Sequence, residues 1–192
     1  AKWPEAEFIV GNPPFIGKGA ALREALGDGY VQALWAAYPK MNRSADLVMF
    51  WWEHAATALT AKETRLRCFG LVTTNSITQV FNRRVVQRHL GNKSPLSLAF
   101  AIPDHPWTKA TPDAAAVRIA MTVARIGRFA GSLFEVTSED RLDSDDPLIA
   151  FRAMQGSINS DLTIGADTTK VSVLQSNSDL CWNGMMLAGQ GF

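Results

Sequence analysis

The chain has 192 residues, of which 47% are hydrophobic and 19% charged, enough for one well-formed core of the usual domain size. Its longest apolar stretches, such as Leu47 to Trp52, fall far short of the ~20 residues that span a bilayer, and its start lacks the charged-then-apolar pattern of a signal segment. Cys68 and Cys181 stand without metal-ligand spacing, so the expectation is a globular, cytoplasmic protein with free thiols and no metal site. The formal net charge of +1 hides an asymmetry: residues 1–134 hold 16 Lys/Arg against 9 Asp/Glu, a balance of +7, and residues 135–192 hold 3 against 9, a balance of −6. The first part is basic enough to meet a polyanion, with clusters at Arg65 and Arg67, at Arg83, Arg84 and Arg88, and at Arg125 and Arg128.

The first predicted element is a buried strand, Phe8 to Val10, which stops at Gly11 and runs into Asn12-Pro13-Pro14-Phe15. Each proline fixes its own φ, removes an N–H and pushes the preceding residue toward extended geometry. The loop therefore offers acceptors and almost no donors. The Asn12 amide oxygen, the Pro13 carbonyl and the Phe15 face can converge on a small planar group bearing an –NH2, such as the exocyclic amine of a nucleobase. An aryl amine is a poor nucleophile while its lone pair is delocalised, and two acceptors on its N–H bonds favour a tetrahedral nitrogen in the transition state. Phe15 would stack on a base taken out of its duplex. A phosphate-binding loop is excluded: five residues, not four, separate Gly11 from Gly17, and Gly19 stands where Ser or Thr is required.

Asn12-Pro13-Pro14-Phe15 resembles the Asn/Asp/Ser-Pro-Pro-Tyr/Phe tetrapeptide of methyltransferases that use S-adenosylmethionine to methylate amino groups, above all the adenine-specific DNA methyltransferases. The longer string Gly11 to Lys18 resembles the methyltransferase portion of the bifunctional, MmeI-like restriction and modification enzymes. The resemblance implies Asn12, Pro13, Pro14 and Phe15 as catalytic residues, S-adenosylmethionine as cofactor and double-stranded DNA with a flipped adenine as partner. Lys18 joins the candidate DNA contacts.

Farther along, Ala20 to Leu26 and Tyr30 to Tyr38 read as short helices around Gly27-Asp28-Gly29, an excursion expected to cover the active-site face. Ser44 is the expected N-cap of a long amphipathic helix in which Leu47, Phe50, Trp51, His54, Ala55, Ala58 and Leu59 recur at helical spacing. Its aromatics Phe50, Trp51 and Trp52 are expected in the core, and His54 in the core or at its boundary. Arg67 to Thr73 is a second buried strand, and the polar cluster Thr73 to Ser76 at its end resembles the family's Pro-Asn-Ser element, with Thr74 in place of the proline. Asn75 is the candidate there, as a pocket residue or as a cap of the next helix. That helix runs from about Gln79 to Leu90, with Arg83, Arg84 and Arg88 facing outward to phosphates or to solvent.

Ser97 to Ile102 is a third strand, followed by a loop, Pro103 to Trp107, in which His105 and Trp107 could stack on the target base or a neighbour, or Trp107 could cap the core. Ala115 to Ile126 alternates as a strand, with Val117, Ile119, Met121 and Val123 forming the apolar face. Ser138 to Asp146 reads as an acidic linker, Leu148 to Met154 as a short helix and Val171 to Leu174 as a strand. The stretch Leu180 to Phe192 resembles the entry to a target-recognition region.

The expected fold class is α/β, the C-terminal half of a class I methyltransferase sheet. Residues 1–134 would form the catalytic, target-base half, and residues 135–192 the linker and the start of a recognition region. No strand-GxG-helix fingerprint occurs, so the cofactor-binding half is expected upstream in the same polypeptide. Protein-glutamine or RNA-guanine methylation and a non-catalytic DNA-binding role are the rival readings.

Overall fold

A computed structural model describes residues 3–107, 117–142, 144, 146–168 and 171. Six strands form one sheet: β1 (Phe8–Gly11), β2 (Cys68–Thr74), β3 (Leu96–Pro106), β4 (Arg118–Ile126), β5 (Gly131–Asp140) and β6 (Leu148–Gly156), in the order β1-β2-β4-β3-β5-β6. β1 and β2 are parallel, β4 inserts antiparallel between β2 and β3, β5 runs parallel to β3, and β6 returns antiparallel on β5. The C-terminal ends of β1, β2, β3 and β5 thus share one edge of the sheet, where the loops after the strands gather. At the opposite end Gly131 lets β5 come against β3, since a Cβ there would lie 2.0 Å from the Leu98 carbonyl oxygen.

Helices α3 (Leu47–Leu59) and α4 (Val80–Leu90) cover one face of this sheet. On β2 the alternate residues Phe69, Leu71 and Thr73 are buried against them. Trp52 of α3 is wholly buried, meets Phe69 edge to face at 5.1 Å and donates its indole N–H to Thr122 Oγ1 at 3.3 Å. Each large side chain buried in this way contributes roughly 1.5–3 kcal/mol. Two shorter helices, α1 (Ala20–Leu26) and α2 (Asp28–Ala37), hinge on Gly27, whose φ of 78° suits glycine and whose N–H closes α1 on the Arg23 carbonyl. Leu22, Val31 and Leu47 make a small second core with Ile16 packed on it. Among the described residues no helix is long and apolar enough to cross a membrane.

Several expectations are corrected. Among the described residues β1 lies at the edge of the sheet, with Phe8 55% and Val10 89% exposed, so these residues leave its apolar run unburied. The residues preceding α3 place Asp46, not Ser44, at its N-cap, and Trp51 is exposed whereas Trp52 is buried. The expected loop Pro103 to Trp107 is mostly strand, because β3 continues to Pro106 after a register shift between Ile102 and His105. On β4 the small residues Ala120, Thr122 and Ala124 are buried, with Trp52 bonded to Thr122, while of the expected apolar face Ile119 is buried and Met121 and Val123 are half-buried. Of the expected linker, Ser138 to Asp140 end β5, and Leu148 to Met154 is strand, because antiparallel backbone pairing with β5 takes the place of helical bonds. Apart from Val171, the expected strand at Val171 to Leu174 lies outside the described residues, as do Cys181 and the stretch Leu180 to Phe192.

Candidate active site

The proline loop leaves the C-terminal end of β1 with Asn12 and Pro14 exposed, Pro13 buried and Phe15 half-buried. Its far side is pinned. Ile16 packs into the small core, and its carbonyl accepts the Leu47 N–H at 3.0 Å, which ties the loop to the first turn of α3. Among the described residues the Asn12 side chain has no hydrogen-bond partner, so its amide remains available to a ligand. An apolar hollow of about 460 Å³ lies beside it, walled by Phe8, Val10, Pro13, Pro14 and Trp51.

At the end of β2, a 3-10 turn over Asn75–Thr78 is clasped from behind. Asp46 Oδ2 accepts the Ser76 hydroxyl at 2.6 Å and the Asn82 amide at 2.8 Å, and Asn82 Oδ1 accepts the Asp46 N–H at 2.9 Å. Asn82 also donates to the Ser76 carbonyl at 3.0 Å. The turn is held by its neighbours and no side chain caps α4, so of the two roles expected for Asn75 the cap of the next helix is not observed. Asn75 itself donates to Asp104 Oδ1 at 3.1 Å.

Asp104 belongs to a chain of charges across the strand ends. Arg118, the first residue of β4, donates through Nε to Asp104 at 2.6 Å and through its terminal nitrogens to both Glu139 oxygens, at 2.7 and 3.2 Å. Hydrogen bonding to Glu139 and then to Asp104 pushes the Arg118 pKa up, and the Arg118 bond holds the Glu139 carboxyl below its ordinary range. Beside this chain Trp107 donates its backbone N–H to the Val117 carbonyl at 2.9 Å, and its ring meets Phe15 edge to face at 6.3 Å.

The sequence candidates are therefore only partly assembled. Phe15 and Trp107 come together. His105 turns the other way, stacked on Phe151 at 5.8 Å with Nδ1–H directed to the Pro106 carbonyl at 2.7 Å. Lys18 and Arg84 both lie over the ring of Phe81, at 5.7 and 6.0 Å. The expected outward face of three arginines is not observed: Arg83 is half-buried with its Nε enclosed, and Arg88 donates to Glu53 at 2.5 Å and to the Lys40 carbonyl at 3.0 Å. Asp46, Ser76, Asn82, Asp104, Arg118, Glu139 and Phe81 were not candidates. Asn82 carried a signal, because it shares the stripe of Val85, Val86 and His89 on α4, where a polar side chain needs a partner.

The Type IIL restriction-modification enzyme MmeI, solved in complex with DNA, matches this fold with a TM-score of 0.61 at 25% identity, over 84% of this chain and 20% of that one. The chain thus spans about a fifth of that enzyme's length. A modification subunit assigned to a type I restriction enzyme from Vibrio vulnificus YJ016 gives a TM-score of 0.46 at 12% identity, over 71% of this chain and 26% of that one. No curated protein matches. The mixed α/β sheet has the methyltransferase fold of MmeI. Since the model of the MmeI DNA-methyltransferase domain matches residues 2–134, well over half of its length, the chain belongs to that family.

Proposed function

We propose that this domain transfers a methyl group from S-adenosylmethionine to the exocyclic amine of an adenine flipped out of duplex DNA, as part of a restriction-modification enzyme. One observation carries the reading: Asn12 stands exposed and unpartnered among the described residues, on a proline-fixed loop whose next ring, Phe15, is backed by Trp107. The Asn12 amide oxygen and the Pro13 carbonyl accept the two N–H bonds of the amine and draw its nitrogen toward a tetrahedral form. Their effect grows as the nitrogen bonds to carbon, so it acts on the transition state more than on binding. Asn12 is neutral and is no base; the proton released by the methylated nitrogen passes to solvent. Phe15 supplies the face on which the flipped base stacks, at the cost of unstacking it from the duplex.

The hollow beside Asn12 tests the cofactor. Its walls of Phe8, Val10, Trp51 and the prolines suit the apolar and flat parts of a nucleoside, and Asn12 places one polar group at the rim. These residues fit one side of S-adenosylmethionine, which when bound would supply a sulfonium methyl as the electrophile, the C–S bond breaking and its electron pair leaving with the neutral thioether. The described lining includes no carboxylate for ribose hydroxyls, so it accounts for only part of such a site.

The test is transfer of labelled methyl from S-adenosylmethionine to DNA by the full-length protein, with the nucleosides identified by mass spectrometry. The expected product is N6-methyladenine, and Asn12→Ala should lower kcat by roughly 10²–10³-fold while leaving cofactor affinity nearly intact. Label found in cytosine, or an Asn12→Ala protein as fast as wild type, would overturn the assignment.

A further inference from the structure

Phe81 lies in the first turn of α4 and is 37% exposed, next to Val80 at 46%. Lys18 Nζ stands 5.7 Å from the centre of its ring and the Arg84 guanidinium 6.0 Å. Lys18 reaches it from the proline loop and Arg84 from α4, so two separate elements bring positive charge to one exposed ring. Among the described residues neither cation has a carboxylate within ion-pair distance. Arg23, Arg67, Arg88, Arg118, Arg141 and Arg152 do, whereas Arg43, Arg65, Arg83, Arg125 and Arg128 also lack one; Lys18 and Arg84 stand apart because both converge on one exposed ring. The charges of Lys18 and Arg84 are thus held by a ring alone, a weak contact at an exposed site.

Uncommitted cations around a solvent-facing ring meet the needs of a nucleic-acid strand: phosphates take the charges, and an unstacked base takes the ring. Position favours the same occupant. Lys18 follows Phe15 closely in the loop that would face the flipped base, so a strand entering there passes Phe81. We infer that Lys18, Phe81 and Arg84 form a docking surface for the DNA strand next to the target adenine. Phosphates draw the two cations off the ring, and the freed ring stacks on the neighbouring base. The inference rests on DNA being the substrate, as proposed above.

The experiment is a fluorescence-anisotropy titration of duplex DNA with full-length protein between 50 and 200 mM salt, with the variants Lys18→Ala/Arg84→Ala, Phe81→Ala and Phe81→Trp. Loss of two phosphate contacts should make the slope of log K against log salt shallower by about 1.5–2. Phe81→Ala should weaken binding roughly fivefold or more at an unchanged slope, and Phe81→Trp should restore it. A wild-type slope in the double variant, wild-type affinity in Phe81→Ala, or a loss that tryptophan does not restore would overturn the surface. Binding is read without methylation. A wild-type protein that binds DNA but methylates no adenine therefore sinks the proposed function, while one that methylates adenine alongside variants of unaltered binding sinks this surface alone.

Discussion

Phe15 and Trp107 meet edge to face, their ring centres 6.3 Å apart and their planes at 88°. One ring follows β1 and the other follows β3, so the contact joins two strand ends that the sheet keeps apart by two intervening strands. With 38% of its surface exposed, Trp107 supports Phe15 without enclosing it. Aromatic pairs of this kind contribute about 0.5–1.5 kcal/mol beyond their area. Trp107→Ala should therefore lower kcat/KM for DNA roughly two- to tenfold, and Trp107→Phe should recover part of it. Equal kcat/KM in wild type and Trp107→Ala would mean that Phe15 needs no support.

Arg118 links Asp104 on β3 to Glu139 on β5, and Asp104 in turn takes the Asn75 amide. The side chains of Arg118 and Asp104 are 39% and 46% exposed, so the stabilisation is modest, on the order of 1 kcal/mol. Geometry is the larger consequence, since the same segment sets Trp107 through Val117. Arg118→Gln should lower kcat more than it lowers the melting temperature, and Arg118→Lys should restore little, because an ammonium cannot reproduce the fork that serves two carboxylates. The Glu139 carboxyl, released from its hydrogen bond, should titrate at a higher pH in an NMR experiment on Arg118→Gln. A Glu139 titration that does not move would show that the bond is not maintained in solution.

The proline loop and the elements around it were legible because each rests on local signals: φ restriction at Pro13 and Pro14, a 3.6-residue repeat from Leu47 to Leu59, and a glycine stop at Gly91. What the sequence hid depends on distant partners. Leu148, Ile149, Phe151 and Met154 fit a helical stripe as well as a strand, and only pairing with β5 decides between them. On β4 the larger side chains pointed to one inward face, and Ile119 is indeed buried, but Ala120, Thr122 and Ala124 are buried too because α3 brings Trp52 onto Thr122. Arg88 read as one of an outward-facing trio until Glu53, on a different helix, came within reach of it.

Glu53 gives the fold an acid dependence. Burial raises its pKa, but hydrogen bonding to His89, the charges of His89 and Arg88 and the Arg88 hydrogen bond together outweigh burial and set it below its ordinary 4.5. A depressed carboxyl pKa stabilises the fold above 4.5 and loses that contribution as pH falls through the folded-state value. His54, whose pKa burial lowers from 6.5, works in the same direction at higher pH, since the unfolded chain takes up the proton first. Stability from urea unfolding should thus fall below pH 6.5 and fall again below 4.5. Glu53→Gln should shrink the lower step, to which the Arg118-bonded Glu139 also contributes, and His54→Gln should remove the upper one. Identical pH profiles in wild type and both variants would remove these two groups from the account.

The last prediction concerns the outer flank of β1. Among the described residues β1 pairs with β2 alone, so its other side presents unpaired backbone N–H and C=O groups, with Val10 89% and Phe8 55% exposed beside them. An exposed apolar edge strand is a template for another strand, and a charged side chain on such an edge discourages pairing. The polypeptide of residues 1–192 on its own should therefore self-associate, and Val10→Lys should shift it toward monomer in sedimentation velocity at micromolar concentration. Because the described lining of the hollow beside Asn12 has no carboxylate and fits only one side of the cofactor, this polypeptide should also methylate no DNA by itself and bind S-adenosylmethionine too weakly to saturate at about millimolar ligand, a Kd equivalent to only about 4 kcal/mol. A monodisperse wild-type monomer that binds the cofactor tightly and one to one would show that the edge needs no partner strand and that the hollow is already a complete site.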